Sequence, residues 1–266
     1  VSAISPLVQV SLTGLPGLPL IQPGDDLGQL IVEALGRADL ALQPGDVLVI
    51  TSKLVSKAEN RFCDLATVIP SSRAEEIAAT VRKDPRLVEL ILRESSEVSR
   101  MRADVLIVRH RLGFTLANAG IDHSNVNGDG EDWVLLLPED PDRSAREIRA
   151  RIGALAGVEP GIVISDSHGR PFRQGTVGAA IGVAGIPALH DMRGQTDLFG
   201  RVLRITVTGV GDEIAAAAGL VSGQGAEGLP VVLVRGLRLP RMDGHASDLV
   251  RPPELDLYRS PMSGMD

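Results

Sequence analysis

Aromatic residues are scarce in this chain, with one Trp, one Tyr and four Phe in 266 residues. That leaves little material for stacking bases or for an aromatic sugar platform. Cysteine is nearly absent: Cys63 stands alone, so no intrachain disulfide forms, and it reads as a small hydrophobe rather than a reactive thiol. Positive charge is not in excess either. The formal net charge is −7, whereas a general nucleic-acid surface calls for clustered Lys and Arg. No apolar run reaches the roughly 20 residues that cross a bilayer, because Pro, Gly or charge interrupts each one. The opening Val1-Ser-Ala-Ile-Ser-Pro6 lacks the basic start and apolar stretch of a secretion signal. The expectation is a cytoplasmic protein with no nucleic-acid and no membrane partner.

What the chain does have is Ala, Val, Ile and Leu in short runs. Val8–Leu12, Val47–Thr51, Ala103–Val108, Trp133–Leu137, Ile162–Asp166 and Leu229–Val234 read as strands. Leu203–Thr208 alternates with period two, as a half-exposed strand does. Helices are expected after Asp25 or Asp26 with a stop at Gly36, over Arg73–Val81 behind a Ser72 cap, after Asp84-Pro85, over Pro141–Ala156 with Asp142 at its start, and from Asp212 to Val221. Gly113–Asn118 reads as connection. Gly175–Gly185 fits either a strand or a closely packed helix. The sum predicts an α+β (mixed α/β) fold, with one domain over 1–238 and a Pro-, Asp- and Arg-rich tail or linker over 239–266.

Three polar stretches interrupt this core: Thr51–Lys57, Ala119–Asn125 and Ile164–Arg170. Charges beside apolar runs are costly to desolvate without partners, so such groups are candidates for a site. Asp122 precedes Ser124 and Asn125, and Asp166 precedes Ser167; carboxylate and hydroxyl oxygens suit a hard cation such as Mg²⁺ or Mn²⁺. The plain alternative is that each aspartate caps a turn and never meets the other. Lys53 and Lys57 share a face if their segment is helical, and a bound anion would relieve their repulsion. Glu59 is placed to orient Lys57 or to contact a metal or an amine. Arg170 has the fork that grips phosphate or carboxylate, whereas Arg173 reads as surface charge. His123 and His168 flank the aspartates and read as neighbours of the ligands, not ligands. Gln224 and Glu227 lie in a Gly-rich connection that could add a ligand. Neither a Walker loop, an H-E-x-x-H nor a G-x-S-x-G elbow occurs, and no G-x-G-x-x-G stands between a strand and a helix as a Rossmann fingerprint requires.

Taken together, Gly17–Ile21, Ser52–Glu59, His110–Phe114, Ala117–Val126, Pro138–Ala145, Ile164–Pro171 and Gly223–Gly228 resemble the coenzyme F420-0:L-glutamate ligase family. The resemblance implies a non-Rossmann fold in an intertwined homodimer. The implied activity is a GTP-dependent joining of L-glutamate to F420-0, followed by gamma-linked extension through an acyl phosphate. It implies two divalent ions, Mg²⁺ or Mn²⁺, with K⁺ as an accompanying ion. Asp122, Asp166, Ser167 and Gln224 fall on metal positions. Leu18, Pro19, Leu20, Ile21, Ser52, Lys57, Asn125, Gly223, Gln224, Gly225, Ala226 and Glu227 fall on nucleotide positions, and Lys57 with Arg170 would offset phosphoryl charge. Asn60, Ser167 and His168 depart from the residues common in that family.

Some members carry a flavin-binding C-terminal domain, and Asp248–Tyr258 looks like the linker that leads to it. The chain is too short to hold such a domain, so no flavin is expected. The competing expectations are another metal-dependent, nucleotide-using carboxylate ligase or kinase, and a noncatalytic anion-binding dimer.

Overall fold

Val47-Leu-Val-Ile and Gly161-Ile-Val-Ile are apolar on both faces, and they pair in parallel at the centre of a five-stranded sheet. The computed structural model of the protein describes residues 7–123, 132–240 and 242–256. In chain order, β1 (Ser11–Gly14) precedes α1 (Leu27–Arg37), β2 (Val47–Thr51) and the short α2 (Ser52–Ala58). The middle of the chain holds β3 (Phe62–Asp64), α3 (Ser72–Val81), α4 (Pro85–Arg93), β4 (Ser95–Arg102), β5 (Val105–His110), β6 (Thr115–Ala117) and β7 (Trp133–Leu135). Then follow α5 (Pro141–Ala156), the hairpin β8 (Gly161–Arg170) and β9 (Arg173–Ala184), β10 (His190–Asp191), β11 (Val207–Thr208), α6 (Val210–Ser222) and β12 (Val231–Arg235).

The large sheet runs β1-β12-β2-β8-β9, and within it only β2 and β8 are parallel. Side-chain alternation splits its apolar residues between two layers. Leu48, Ile50, Ile162, Ile164 and Leu233 face α1 and α5, whereas Val47, Val49, Val163 and Val232 face α6. A second core packs α3 and α4 onto β5 through Ile77, Val81, Val88, Ile91, Leu106 and Val108. Each fully buried Ile or Leu here stabilises the fold by about 2 kcal/mol, so Ile152→Ala on α5 would cost about 2–5 kcal/mol.

Caps explain the helix starts. Asp26 accepts from the Gln29 N–H, Asp84 from Arg86 with Pro85 in first position, and Asp140 from Arg143 with Pro141 behind it. Ser71, not Ser72, caps α3, because its own N–H and hydroxyl both reach Glu89 and its oxygen accepts from Ala74. Asp142 is the second residue of α5, in its first turn, and accepts from the Val183 N–H on β9. The end of α1 falls at Arg37, one residue past Gly36.

The sheet itself brings further differences. The first strand is Ser11–Gly14, shifted toward the residues that pair with β12. The expected strand over 203–208 reduces to Val207–Thr208, paired with His190–Asp191. The connection over 113–118 contains β6, and β8 runs on to Arg170, so Asp166 sits within a strand instead of ending one. Gly175–Gly185 falls largely in β9. A Cβ on Gly178 would lie 2.4 Å from the Ala215 carbonyl of α6, and one on Gly182 would lie 2.5 Å from the Pro141 carbonyl of α5. The glycines therefore let two helices rest directly on the strand.

After β12 the chain folds back. The Gly244 N–H donates to Ile186, Ala246 is buried, and Leu249 packs with the α6 layer. Among the described residues, no helix is long and apolar enough to cross a membrane.

Candidate active site

The apolar run of β2 ends at Thr51, and the chain turns directly into α2, so Ser52 and Lys53 occupy its first turn. Ser52 is buried and donates its hydroxyl to Asp166 Oδ1 at 2.8 Å. Lys53 Nζ lies 2.6 Å from Asp122 Oδ2. Two adjacent residues thus contact the two aspartates, and this common anchor brings β8 and the segment of Asp122 to one helix start. One turn on, Lys57 is only 8% exposed. Burial and then repulsion from Lys53 lower its pKa below that of an ordinary lysine, with Asp122 opposing the shift.

Local backbone irregularity aims both carboxylates. The β8–β9 register slips between Ile164 and Ser165, and such bulges redirect the side chains that follow. Asp166 then points at Ser52. Asp122 exchanges two backbone hydrogen bonds with Leu135, immediately after a turn in which Asn118, Ala119 and Gly120 all have positive φ. Two consecutive non-glycine residues in that region store strain of order 1 kcal/mol each, a feature concentrated at functional sites. Asn60, just after α2, also has positive φ (55°), which an Asn tolerates better than most side chains.

Beyond Asp166, Ser167 donates to Gln224 Oε1 at 2.7 Å, joining β8 to the loop after α6. His168 Nε2 lies 3.2 Å from Asp166 Oδ2. The His168 ring meets Phe114 at 5.3 Å, and Phe114 stacks on the fully buried His110, also at 5.3 Å. Behind His110 lies Glu94, paired with Arg61 and Arg111 at 3.2 Å each. Burial works against the Glu94 charge, but the His110 contact and the two guanidiniums outweigh it and hold the carboxyl at about 2. A pocket of about 230 Å³ is lined by Phe114 and His168 together with Asp212 and Arg251.

The other expected positions are placed as follows. Ile21 is buried in the main core and Leu18 packs against it, while Pro19 and Leu20 are exposed. The Gly24 N–H donates to the Ala58 carbonyl, tying this loop to the end of α2. Gly223, Gln224, Gly225, Ala226 and Glu227 form the connection after α6, where the Gly225 N–H donates to Glu227. Glu59 accepts from the Glu139 N–H and the Ser144 hydroxyl, so it anchors the start of α5. Arg170 is exposed at the hairpin end, about 13 Å along β8 from Asp166, and is not brought to the carboxylates. His123 is exposed, and Asn125 lies outside the described residues. Sequence reasoning missed the Lys53–Asp122 pair, Glu94 and the stacking of Phe114. Phe114 carried the one available signal, as a rare aromatic in a polar connection.

Residues 17–236 match the family model described as F420-0:Gamma-glutamyl ligase. The chain belongs to the F420-0:gamma-glutamyl ligase family. It is 47% identical over 243 residues to the coenzyme F420:L-glutamate ligase of Methanopyrus kandleri, covering 90% of this chain and 93% of that protein. It is 47% identical over 252 residues to the protein of the same name from Methanothermobacter thermautotrophicus, covering 94% and 99%. The Haloarcula marismortui protein of that name is 45% identical over 249 residues, covering 91% and 93%.

This member of the gamma-glutamyl ligase family is an enzyme, and its matched span contains both aspartates, α2 and the Gln224 loop. Among the described residues, no three His, Cys, Asp or Glu side chains cluster as a ready metal cage. The side chains of Asp122, Asp166, Ser167 and Gln224, the positions expected to hold a metal, nevertheless offer oxygen atoms. That chemistry fits Mg²⁺ or Mn²⁺, which take one or two protein carboxylates and leave the remaining positions to water and phosphate.

Proposed function

We propose that the chain is a GTP-dependent ligase that joins L-glutamate to coenzyme F420-0 and then extends the tail through gamma-linked amides. Its relatives are named for the joining step. The observation that carries the reading is the pairing of Asp166 with Ser52 and of Asp122 with Lys53 at the start of α2, with Lys57 buried one turn on. Two carboxylates and a desolvated ammonium on one rim suit a triphosphate brought in with a cation.

Chemically, a carboxylate resists attack by an amine until its oxygen becomes a good leaving group. In the proposed route the acceptor carboxylate attacks the γ-phosphorus, the bond to the β-phosphate oxygen breaks, and GDP leaves. The glutamate amine then attacks the acyl carbon, inorganic phosphate departs, and the amine loses a proton as the amide forms. When bound, Mg²⁺ or Mn²⁺ supplies charge neutralisation at the phosphoryl oxygens. Asp122, Asp166, Ser167 and Gln224 would hold the cations. Ser52 fixes the Asp166 carboxylate, and Lys57 meets negative charge developing on the phosphate. The loops Leu18–Ile21 and Gly223–Glu227 would border the nucleotide, with Asn125 as a further contact. Arg170, at its exposed position, would serve only an anion lying beyond the carboxylates or one belonging to a second subunit.

A homodimer is part of the proposal. Leu198, Phe199 and Ile205, in the 192–206 connection, are nearly fully exposed. Apolar side chains of that size at the surface favour cover by another protein surface, here a second copy.

Heavy-oxygen labelling tests the route. F420-0 labelled in its carboxylate should deliver one heavy oxygen to the inorganic phosphate per amide formed. Label retained wholly in the organic product would exclude the acyl phosphate.

A further inference from the structure

We infer that His168 is a positioning residue for Asp166, held in place by a column of rings that runs back through Phe114 and His110 to Glu94. The inference rests on the reading of Asp166 as a cation ligand and adds residues to which that reading gives no role.

The two oxygens of Asp166 are engaged from different sides. Oδ1 accepts the Ser52 hydroxyl at 2.8 Å, and Oδ2 lies 3.2 Å from His168 Nε2. Asp166 and His168 are two apart on β8, so strand alternation turns both to the same face. A carboxylate contacted at both oxygens cannot rotate freely about its own axis, which is what a ligand of fixed direction needs. His168 Nε2 is buried, and its 3.2 Å approach to Asp166 Oδ2 is an ionic contact and not an aligned hydrogen bond, with no other hydrogen-bond partner among the described residues.

What holds the imidazole is equally defined. Phe114 meets it at 5.3 Å with a 46° tilt, and Phe114 lies nearly parallel to His110, with an interplanar angle of 11°. His110 is locked by a tight turn: its N–H donates to the Phe114 carbonyl at 2.8 Å, and the Leu112 N–H donates to its Nδ1 at 3.0 Å. The other ring nitrogen, Nε2, lies 3.5 Å from Glu94 Oε2 without an aligned hydrogen bond. Glu94 is fixed in turn by Arg61 and Arg111. The column therefore links Glu94 to the Asp166 carboxylate through His110, Phe114 and His168, with ring contacts in its middle and polar contacts at its two ends.

The test is a Mn²⁺ titration of the intact chain followed by electron paramagnetic resonance, with melting temperature measured alongside. His168→Ala should weaken Mn²⁺ binding about 10- to 100-fold while the melting temperature changes little. His168→Asn, which restores an N–H donor, should recover part of the loss, and Phe114→Leu should weaken binding severalfold with His168 still present. Asp166→Asn is the control. If it weakens binding and His168→Ala does not, the positioning role is overturned and the cation reading stands. If Asp166→Asn binds Mn²⁺ like the parent, the cation reading fails and the inference falls with it. Lowered melting with unchanged Mn²⁺ affinity in His168→Ala would show a purely structural role and also overturn it. Should His168→Ala not fold, parental affinity in both His168→Asn and Phe114→Leu overturns the positioning role equally.

Discussion

Ser52 and Asp166 are 114 residues apart in the chain, yet a 2.8 Å hydrogen bond joins them across two parallel neighbouring strands. The bond links the first turn of α2 to the strand that carries the acidic residue. If its purpose is to hold the carboxylate, Ser52→Ala should reduce kcat/KM about tenfold, the scale of one lost hydrogen bond of roughly 1.4 kcal/mol. Asp166→Asn should cost at least a hundredfold more. Steady-state kinetics on both variants, with melting curves to confirm folding, would check the ranking.

Lys57 gives a pH prediction. Burial and Lys53 lower its pKa, so the folded state holds this proton less tightly than the unfolded chain does. The charged amine therefore destabilises the fold at pH values below its folded pKa, and that penalty disappears as pH rises toward 10.5, the ordinary lysine value. Lys57→Met should melt no lower than the parent at neutral pH while losing most turnover. In the parent, GTP affinity should fall as pH rises through a point below 10.5, and in Lys57→Met that dependence should vanish.

The Glu94 cluster makes the opposite prediction for acid. Its carboxyl is depressed from 4.5 to about 2, so the stability it confers is complete above the unfolded value and is lost as pH falls through the folded one. After allowance for solvent screening, that contribution is on the order of 2 kcal/mol. Glu94→Gln should lower the melting temperature by several degrees at neutral pH. The gap from the parent should close between about pH 4.5 and 2, as followed by circular dichroism.

Gly178 tests the packing that supports Ser167. It pairs with Ser167 in the β8–β9 register, and α6 lies so close that a methyl group would meet the Ala215 carbonyl at 2.4 Å. Gly178→Ala should destabilise by about 1–3 kcal/mol, the usual cost of overpacking. It should also weaken Mn²⁺ binding, because displacing α6 shifts Gln224. Denaturant titration and the Mn²⁺ measurement together would show whether the two effects travel together.

The legible parts of the sequence were those that local chemistry determines. Asp84-Pro85 and Pro141 mark helix starts, and Val47–Ile50 reads as a buried strand from its continuous apolar run. Asp122, Asp166 and Lys57 stood out because charge beside such runs needs partners. What could not be read was long-range. Nothing near Ser52 announces that β2 and β8 pair in parallel, and nothing near Lys53 names Asp122 as its partner. β4 stayed hidden because Ser95–Arg102 is polar and its pairing with β5 is broken by two register shifts. Leu203–Thr208 misled in the other direction, since its alternation finds only a two-residue partner strand.

One measurement bears most directly on the whole account: mass spectrometry of the reaction of F420-0 with L-glutamate, GTP and Mn²⁺, with GDP quantified in the same samples. The account predicts a product heavier by one glutamyl residue, one GDP for each amide formed, and loss of both in Asp122→Asn and Asp166→Asn. GDP release without any gain in product mass, or undiminished product from either variant, would contradict it.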